Sequence, residues 1–186
     1  MNTKNLTDLL ISRLLKDVGF REAFGVARKN SDGGLWLIGS GVYKMLLNGV
    51  FEEEFNIKDW DFIAERIIYP LSLESSWKVS ETKHGNPKLK KDDLILDLVA
   101  LDNIISIKER GLVPSISNYL SGTPLTIQSI AFDLIERKLI GDVGIKSIID
   151  RTVGINDMAE YDRAIAIYGD KYSVDCYAEK LGLRKS

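Results

Sequence analysis

The segment Leu35 to Ala64, LWLIGSGVYKMLLNGVFEEEFNIKDWDFIA, constrains the chain more than any other stretch. Its apolar run Leu35–Ile38 is too short for a helix and reads as a buried strand. Gly39-Ser40-Gly41 is a turn. Val42, Met45 and Leu46 then share one face of a helix over about 41–48, which Asn48-Gly49 stops. After a polar loop at Glu52–Asn56, Asp59 to Ile63 is strand-like. Side chains two apart on a strand point the same way, so Trp60 and Phe62 share one face and Asp59, Asp61 and Ile63 the other.

Aspartate is disfavoured inside strands. A buried, unpaired carboxylate is costly, so it takes a cation or a proton. The most apolar segment, Asp93–Leu101 (DLILDLVAL), reads as a buried strand interrupted by Asp97. If that strand pairs near Asp59 and Asp61, three carboxylates converge and call for divalent cations. Mg²⁺ suits such a site: it takes hard oxygen ligands, few carboxylates, water and phosphates. Mn²⁺ is the alternative. The plain reading leaves these aspartates solvated at strand ends, as Asp93 is. Gly39-Ser40 weighs against it. A strand that turns through Gly-Ser into a helix presents backbone N–H groups and the helix dipole to an anion, and Ser40 adds a hydroxyl.

With 186 residues, 45% of them hydrophobic, the chain is one domain with room for a small helical appendage. A net charge of -2 argues against nonspecific coating of nucleic acid and leaves room for a local basic groove. A single cysteine, Cys176, and a single histidine, His84, exclude an internal disulfide and leave almost no Cys/His zinc site. The N-terminal stretch is too charged for a signal peptide. No run approaches the ~18 apolar residues of a membrane span, so the expectation is a cytoplasmic protein without a membrane partner.

Elsewhere the pattern predicts helices over 4–17 (stripe Leu6, Leu9, Leu10, Leu14, Leu15) and 21–29, then a turn at Asn30–Gly34. A strand is expected over 77–82. Lys83–Lys91 (KHGNPKLKK) reads as a solvated basic hairpin turning at Gly85-Asn86-Pro87, or as a guide for an anionic acceptor. Thr126–Leu134 is strand-like and could turn helical. Gly141 leads into a helix at 145–150, and two further helices, 157–168 and 173–181, are parted by Gly169-Asp170. Trp36, Trp60 and Trp77 are expected in the core. Early alternation and late helices give an α+β domain over 1–155 with a helical C-terminal extension, 156–186, packed on it.

At these residues the chain resembles the nucleotidyltransferase superfamily that includes DNA polymerase beta. That family joins an apolar strand, Gly-Gly or Gly-Ser, a helix, Asp-x-Asp between apolar residues, and a third carboxylate on a later strand. Gly39-Ser40-Gly41-Val42-Tyr43-Lys44-Met45-Leu46-Leu47-Asn48 is similar to the Gly-Gly-x-Val-Arg-Asp-x-Leu-Leu-Gly phrase of poly(A) polymerase and CCA-adding enzyme head domains. Thr126–Ala131 resembles their Thr-Ile-Asn-Ala-x-Ala, Leu139–Asp142 their Leu-Ile-Asp, and Asp157–Ile167 the start of their neck helix. The departures are Tyr43-Lys44 for Arg-Asp, Gly122-Thr123-Pro124 for Arg-Arg-Asp, and Glu160 and Ala166 for two neck arginines. Those family residues help hold the nucleotide and select its base.

The resemblance implies a mixed β-sheet flanked by helices and a Mg²⁺- or Mn²⁺-dependent transfer of a nucleoside monophosphate from a triphosphate such as ATP to a hydroxyl. The acceptor would be an RNA end, a protein or a small molecule, and stand-alone relatives include toxin components and antibiotic-modifying enzymes. Asp59, Asp61 and Asp97 would be the metal-binding and catalytic carboxylates, and Gly39, Ser40, Lys44 and Arg163 would hold the nucleotide. The alternative is a catalytically silent nucleotide- or partner-binding module on the same fold.

Overall fold

The computed structural model describes residues 2–82 and 84–186. Two helices open the chain: α1 (Thr3–Lys16), capped by the Asn2 side chain, and α2 (Val18–Lys29), capped by Asp17. Leu6, Leu10 and Leu14 form the buried stripe of α1, while Leu15 is 60% exposed, so the apolar face is narrower than the leucine spacing suggests. The strand β1 (Ser31–Ile38) absorbs most of the expected Asn30–Gly34 turn. It can do so because a bulge between Asp32 and Leu35 places Gly33 at φ +77°, where a Cβ would strike the Glu65 side chain.

Helix α3 (Ser40–Phe51) follows and runs through the Asn48-Gly49 stop. The Asn48 side chain accepts from Phe55 N and donates to Phe55 O (2.8 and 3.0 Å), spending its turn-forming groups on the next loop. The helix ends instead at Glu52, in the left-handed region. Then come β2 (Asp59–Ile67), β3 (Lys78–Glu81), β4 (Pro87–Lys91) and β5 (Leu94–Ala100). The stretch 104–121 holds two short helices, α4 (Ile105–Glu109) and α5 (Ile116–Ser121). The segment 126–134, strand-like or helical by its pattern, is both: a 3-10 turn at Thr126–Gln128 and three strand residues, β6 (Ala131–Asp133), paired with β7 (Lys138–Ile140). The remainder is α6 (Asp142–Asp150), β8 (Thr152–Val153), α7 (Met158–Tyr168), α8 (Val174–Leu181) and β9 (Arg184–Lys185).

The architecture is α+β: a seven-stranded mixed sheet in the order β3-β4-β5-β2-β1-β6-β7, flanked by helices. Within this sheet the β2–β5 pair is parallel and the other pairs are antiparallel. One face carries Leu35, Leu37, Trp60, Phe62, Leu89, Leu96 and Leu98 against α1, α2 and α3. The opposite face buries a smaller cluster, Ile38, Ile63 and Ala131, under Leu101, Ile104, Ile107 and Leu120. Trp60 and Phe62 are fully buried. Full burial of such side chains stabilises by roughly 1.5–3 kcal/mol each, and a slip of one residue would move every side chain to the other face. Packing of these two rings therefore holds Asp59 and Asp61 on the thinly covered side. Trp77 is buried, as expected, whereas Trp36 is only half-buried and donates its indole N–H to Asp133 (3.0 Å).

The C-terminal helices are stitched to the rest by backbone as well as side chains. β9 lies parallel to β8. Arg151 donates to Gly182 O (2.9 Å), pairs with Glu53 (2.6 Å) and stacks on Phe51. The Asn156 amide donates to the carbonyls of Leu120 (3.1 Å) and Thr123 (3.0 Å), fixing the loop before the 3-10 turn.

Candidate active site

The site grows from two adjacent strand registers. In the parallel β2–β5 pair, Asp61 stands directly opposite Asp97, and Asp59 opposite Ile95. On the other side of β5, Asp97 faces Lys88 of β4, and across β1 Asp61 faces Ile38. One row of the sheet thus reads Ile38, Asp61, Asp97, Lys88. Gly39 follows Ile38 immediately, so the start of α3 sits beside Asp61. Gly39 has φ +63° and ψ -142°, a region for glycine, and a Cβ there would lie 3.1 Å from Asp61 Oδ2. No side chain caps α3. The first N–H groups of a helix have no intrahelical partner, so this end offers donors to an external acceptor. Gly41 lets the helix approach the sheet: its Cβ position lies 3.0 Å from Trp60 and 3.2 Å from Leu37.

These residues open into a cavity of about 660 Å³, lined by Gly39, Ser40, Asp59, Asp61, Lys88 and Asp97 on the sheet side. Its far wall is Tyr119, Thr123, Pro124, Gln128, Glu160, Tyr172 and Tyr177, none of which the sequence singled out for this wall. They come from five helical segments and the loop after α5, and no local spacing links them. Gln128 donates to the hydroxyls of Tyr177 (3.2 Å) and Tyr172 (3.4 Å), and the two rings lie 5.5 Å apart. Burial pushes the Tyr43, Tyr119 and Tyr177 hydroxyls well above the usual phenol range, so they stay protonated donors.

The carboxylates are electrostatically crowded. Burial raises the Asp61 pKa to about 7, with Asp97 and then Asp59 adding to it and Lys88 opposing. Asp97 Oδ2 accepts from Lys88 Nζ at 3.0 Å, while its Oδ1 is buried without a hydrogen-bond partner among the described residues. Asp59 is exposed at the mouth. Among the described residues no three acidic, histidine or cysteine side chains form a ready-made metal-binding group. What the strands preform is the Asp61–Asp97 pair, with Lys88 already on one of its oxygens.

Lys44 and Arg163 do not line this cavity. Lys44 is half-buried on α3, its proton affinity lowered by burial and by Lys180 while Asp59 opposes. Arg163 pairs with Glu109 and lies 3.6 Å from Glu160, in a groove that adjoins the cavity at Ser106, Pro124, Glu160 and Tyr172. His84 borders that groove as well. Lys88, expected in the basic hairpin as a solvated group or an acceptor guide, instead turns to Asp97. Lys83 lies outside the described residues.

A mixed sheet with helices on both faces, two carboxylates on neighbouring strands and a glycine-serine helix start define a nucleotidyltransferase-type fold. No protein-family model matches the chain, and no curated protein matches it in sequence. Solved structures do match in fold. A CCA-adding enzyme in complex with CTP superposes with a TM-score of 0.66 at 15% identity, over 97% of this chain and 43% of that one. The Thermotoga maritima CCA-adding enzyme complexed with tRNA gives 0.64 at 15% identity, over 97% and 42%. A tRNA nucleotidyltransferase with a primer tRNA and an incoming ATP analog gives 0.59 at 19% identity, over 82% and 43%. The chain spans less than half the length of these proteins. Among the described residues no helix is long and apolar enough to cross a membrane.

Proposed function

We propose that the chain is a metal-dependent nucleotidyltransferase, moving a nucleoside monophosphate from a nucleoside triphosphate to a hydroxyl on an RNA end, a protein or a small molecule. One observation carries this reading: Asp61 and Asp97 face each other beside the uncapped Gly39-Ser40 helix start, in one cavity. Residues 1–155 would supply this chemistry and part of the far wall, and residues 156–186 would complete that wall with Glu160, Tyr172 and Tyr177.

The residues fit a divalent cation. Asp97 Oδ1 is buried and unpartnered, and Asp61 ionises reluctantly beside two other carboxylates. Asp61 and Asp97, with Asp59 at the mouth, would hold Mg²⁺ or Mn²⁺. When bound, such an ion neutralises phosphate charge and acidifies the attacking hydroxyl. The N–H groups at the start of α3 and the Ser40 hydroxyl would donate to the phosphate oxygens, a stabilisation that needs no reorganisation during transfer. Asp97, directly across from Asp61, would help hold the ion that acidifies the acceptor hydroxyl. Lys88 moves from Asp97 to the incoming phosphates. Lys44 lies within the field of Asp59 but outside the cavity lining, and Arg163 would have to leave Glu109 to take a phosphate.

The second reading, a silent nucleotide- or partner-binding module, is favoured by two ion pairs: Lys88 already neutralises Asp97, and Glu109 holds Arg163. The protein incubated with Mg²⁺ or Mn²⁺, each α-labelled triphosphate, and either total RNA or itself as acceptor separates the two. Labelled product that disappears in Asp59→Ala/Asp61→Ala is expected. Nucleotide binding without product supports the silent module. Absence of metal binding by calorimetry, with and without nucleotide, overturns the transfer reading.

A further inference from the structure

We infer that the cavity selects guanine, and that Glu160 is the residue that selects it. This rests on the nucleotide reading above and goes beyond it, because it names the base.

The far wall is made for a flat ring. Tyr119, Tyr172 and Tyr177 line it together with Pro124, and Tyr172 is itself backed by Tyr168, their rings stacked at 5.1 Å. Aromatic faces hold any base by stacking and do not discriminate among them. Discrimination has to come from the polar groups, and most of those on this wall are committed. The Gln128 amide donates to two tyrosine hydroxyls, and its carbonyl accepts from Leu125 N (3.3 Å). The Thr123 hydroxyl donates to Leu120 O (3.1 Å) and accepts from Asn156 (3.1 Å).

Glu160 differs. Its side chain is only 12% exposed, it faces both the cavity and the adjoining groove, and its carboxylate makes no hydrogen bond among the described residues. Among the described residues its one ion pair is with Arg163 at 3.6 Å, and Arg163 is drawn away by Glu109.

An ionised carboxylate only accepts hydrogen bonds. Guanine alone among the bases presents two adjacent donors, N1–H and the N2 amino group, on one edge, and so meets both carboxylate oxygens. Adenine and cytosine place a ring-nitrogen acceptor next to their amino group, which sets a lone pair against an oxygen anion. Uracil places one donor between two acceptors. A bidentate contact of this kind discriminates by a factor on the order of ten to a hundred.

The test is direct binding of GTP, ATP, CTP and UTP in the presence of Mg²⁺, by calorimetry, to the wild-type chain and to Glu160→Gln. The amide substitution keeps the volume and removes the charge, and an amide is a partner that adenine accepts. Wild type is expected to bind GTP about tenfold or more tighter than the other three. Glu160→Gln is expected to lose that preference and gain on ATP, with Glu160→Ala losing preference without gaining. Triphosphate binding with equal affinities, or a preference that survives Glu160→Gln, overturns the guanine assignment and leaves the nucleotide reading standing. Failure of every triphosphate to bind overturns both.

Discussion

The clearest consequence of the crowded carboxylates is that the site weakens the metal-free fold. Asp61 is the place to measure it. Its pKa rises from 3.8 to about 7 because burial and the Asp97 and Asp59 charges disfavour ionisation. A raised carboxyl pKa means the folded state holds its proton more tightly than the unfolded chain. Stability from the neutral form is therefore present below pH 3.8 and is lost as pH climbs toward 7. At about 1.4 kcal/mol per tenfold in affinity, the full interval corresponds to roughly 4 kcal/mol. Cavity water and Lys88 screen part of this, so about half, roughly 2 kcal/mol, is the working figure. For a chain of this size that corresponds to roughly 4–8 °C in Tm.

Asp61→Asn removes the charge and keeps the shape. Melting curves in EDTA from pH 4 to pH 8 should coincide with wild type at the acid end. They should rise above wild type by several degrees at neutral pH. Mg²⁺ should then stabilise wild type and leave Asp61→Asn nearly unmoved. Equal or lower melting temperatures for Asp61→Asn at pH 7.5 in EDTA would refute the claim that this carboxylate is held against its own electrostatics.

Four further outcomes follow from the same geometry. Gly39→Ala forces a side chain into a glycine-only backbone region and within 3.1 Å of Asp61 Oδ2; it should cost about 1–3 kcal/mol in urea unfolding and weaken triphosphate binding. Lys88→Met uncovers Asp97 and should tighten Mn²⁺ binding about tenfold or less in calorimetry, while lowering stability in EDTA. Lowering pH should erode any GTP preference, because burial raises the Glu160 pKa against the pull of Arg163, and a protonated carboxyl gains a donor that adenine and cytosine can use; affinity ratios at pH 5.5 and 7.5 test it. Asn30→Ala should lose about 1–3 kcal/mol and leave nucleotide affinity unchanged. Its buried amide joins Val26 O and Ser72, away from the cavity lining, and truncation orphans the Ser72 N–H.

Much of the sheet side of the site was legible in the sequence. Period-two alternation around Asp59 and Asp61 places both on the face opposite Trp60 and Phe62, and the apolar run around Asp97 marks a strand that can pair with theirs. Gly39-Ser40 marks the helix start. Element ends were less legible. Asn30–Gly34 looks like a turn, but a bulge with a left-handed glycine carries the strand through it. Asn48-Gly49 looks like a stop, but the Asn48 side chain is spent on Phe55. Leu15 falls on the leucine stripe and still faces solvent, because α1 packs through one narrow row.

Local chemistry determined which residues carry charge toward a cavity and which pack beneath it. Burial of two aromatic rings is strong enough to set strand register, and register sets where the aspartates point. Tertiary structure alone decided what faces them. Tyr119, Gln128, Glu160, Tyr172 and Tyr177 meet because the C-terminal helices fold back over the sheet, an outcome of long-range packing with no local periodicity. The β4–β5 hairpin set Lys88 opposite Asp97, and the long-range packing turned Arg163 toward Glu109. The Arg163–Glu109 pair joins segments more than fifty residues apart, so that partner is a property of the fold and not of local spacing.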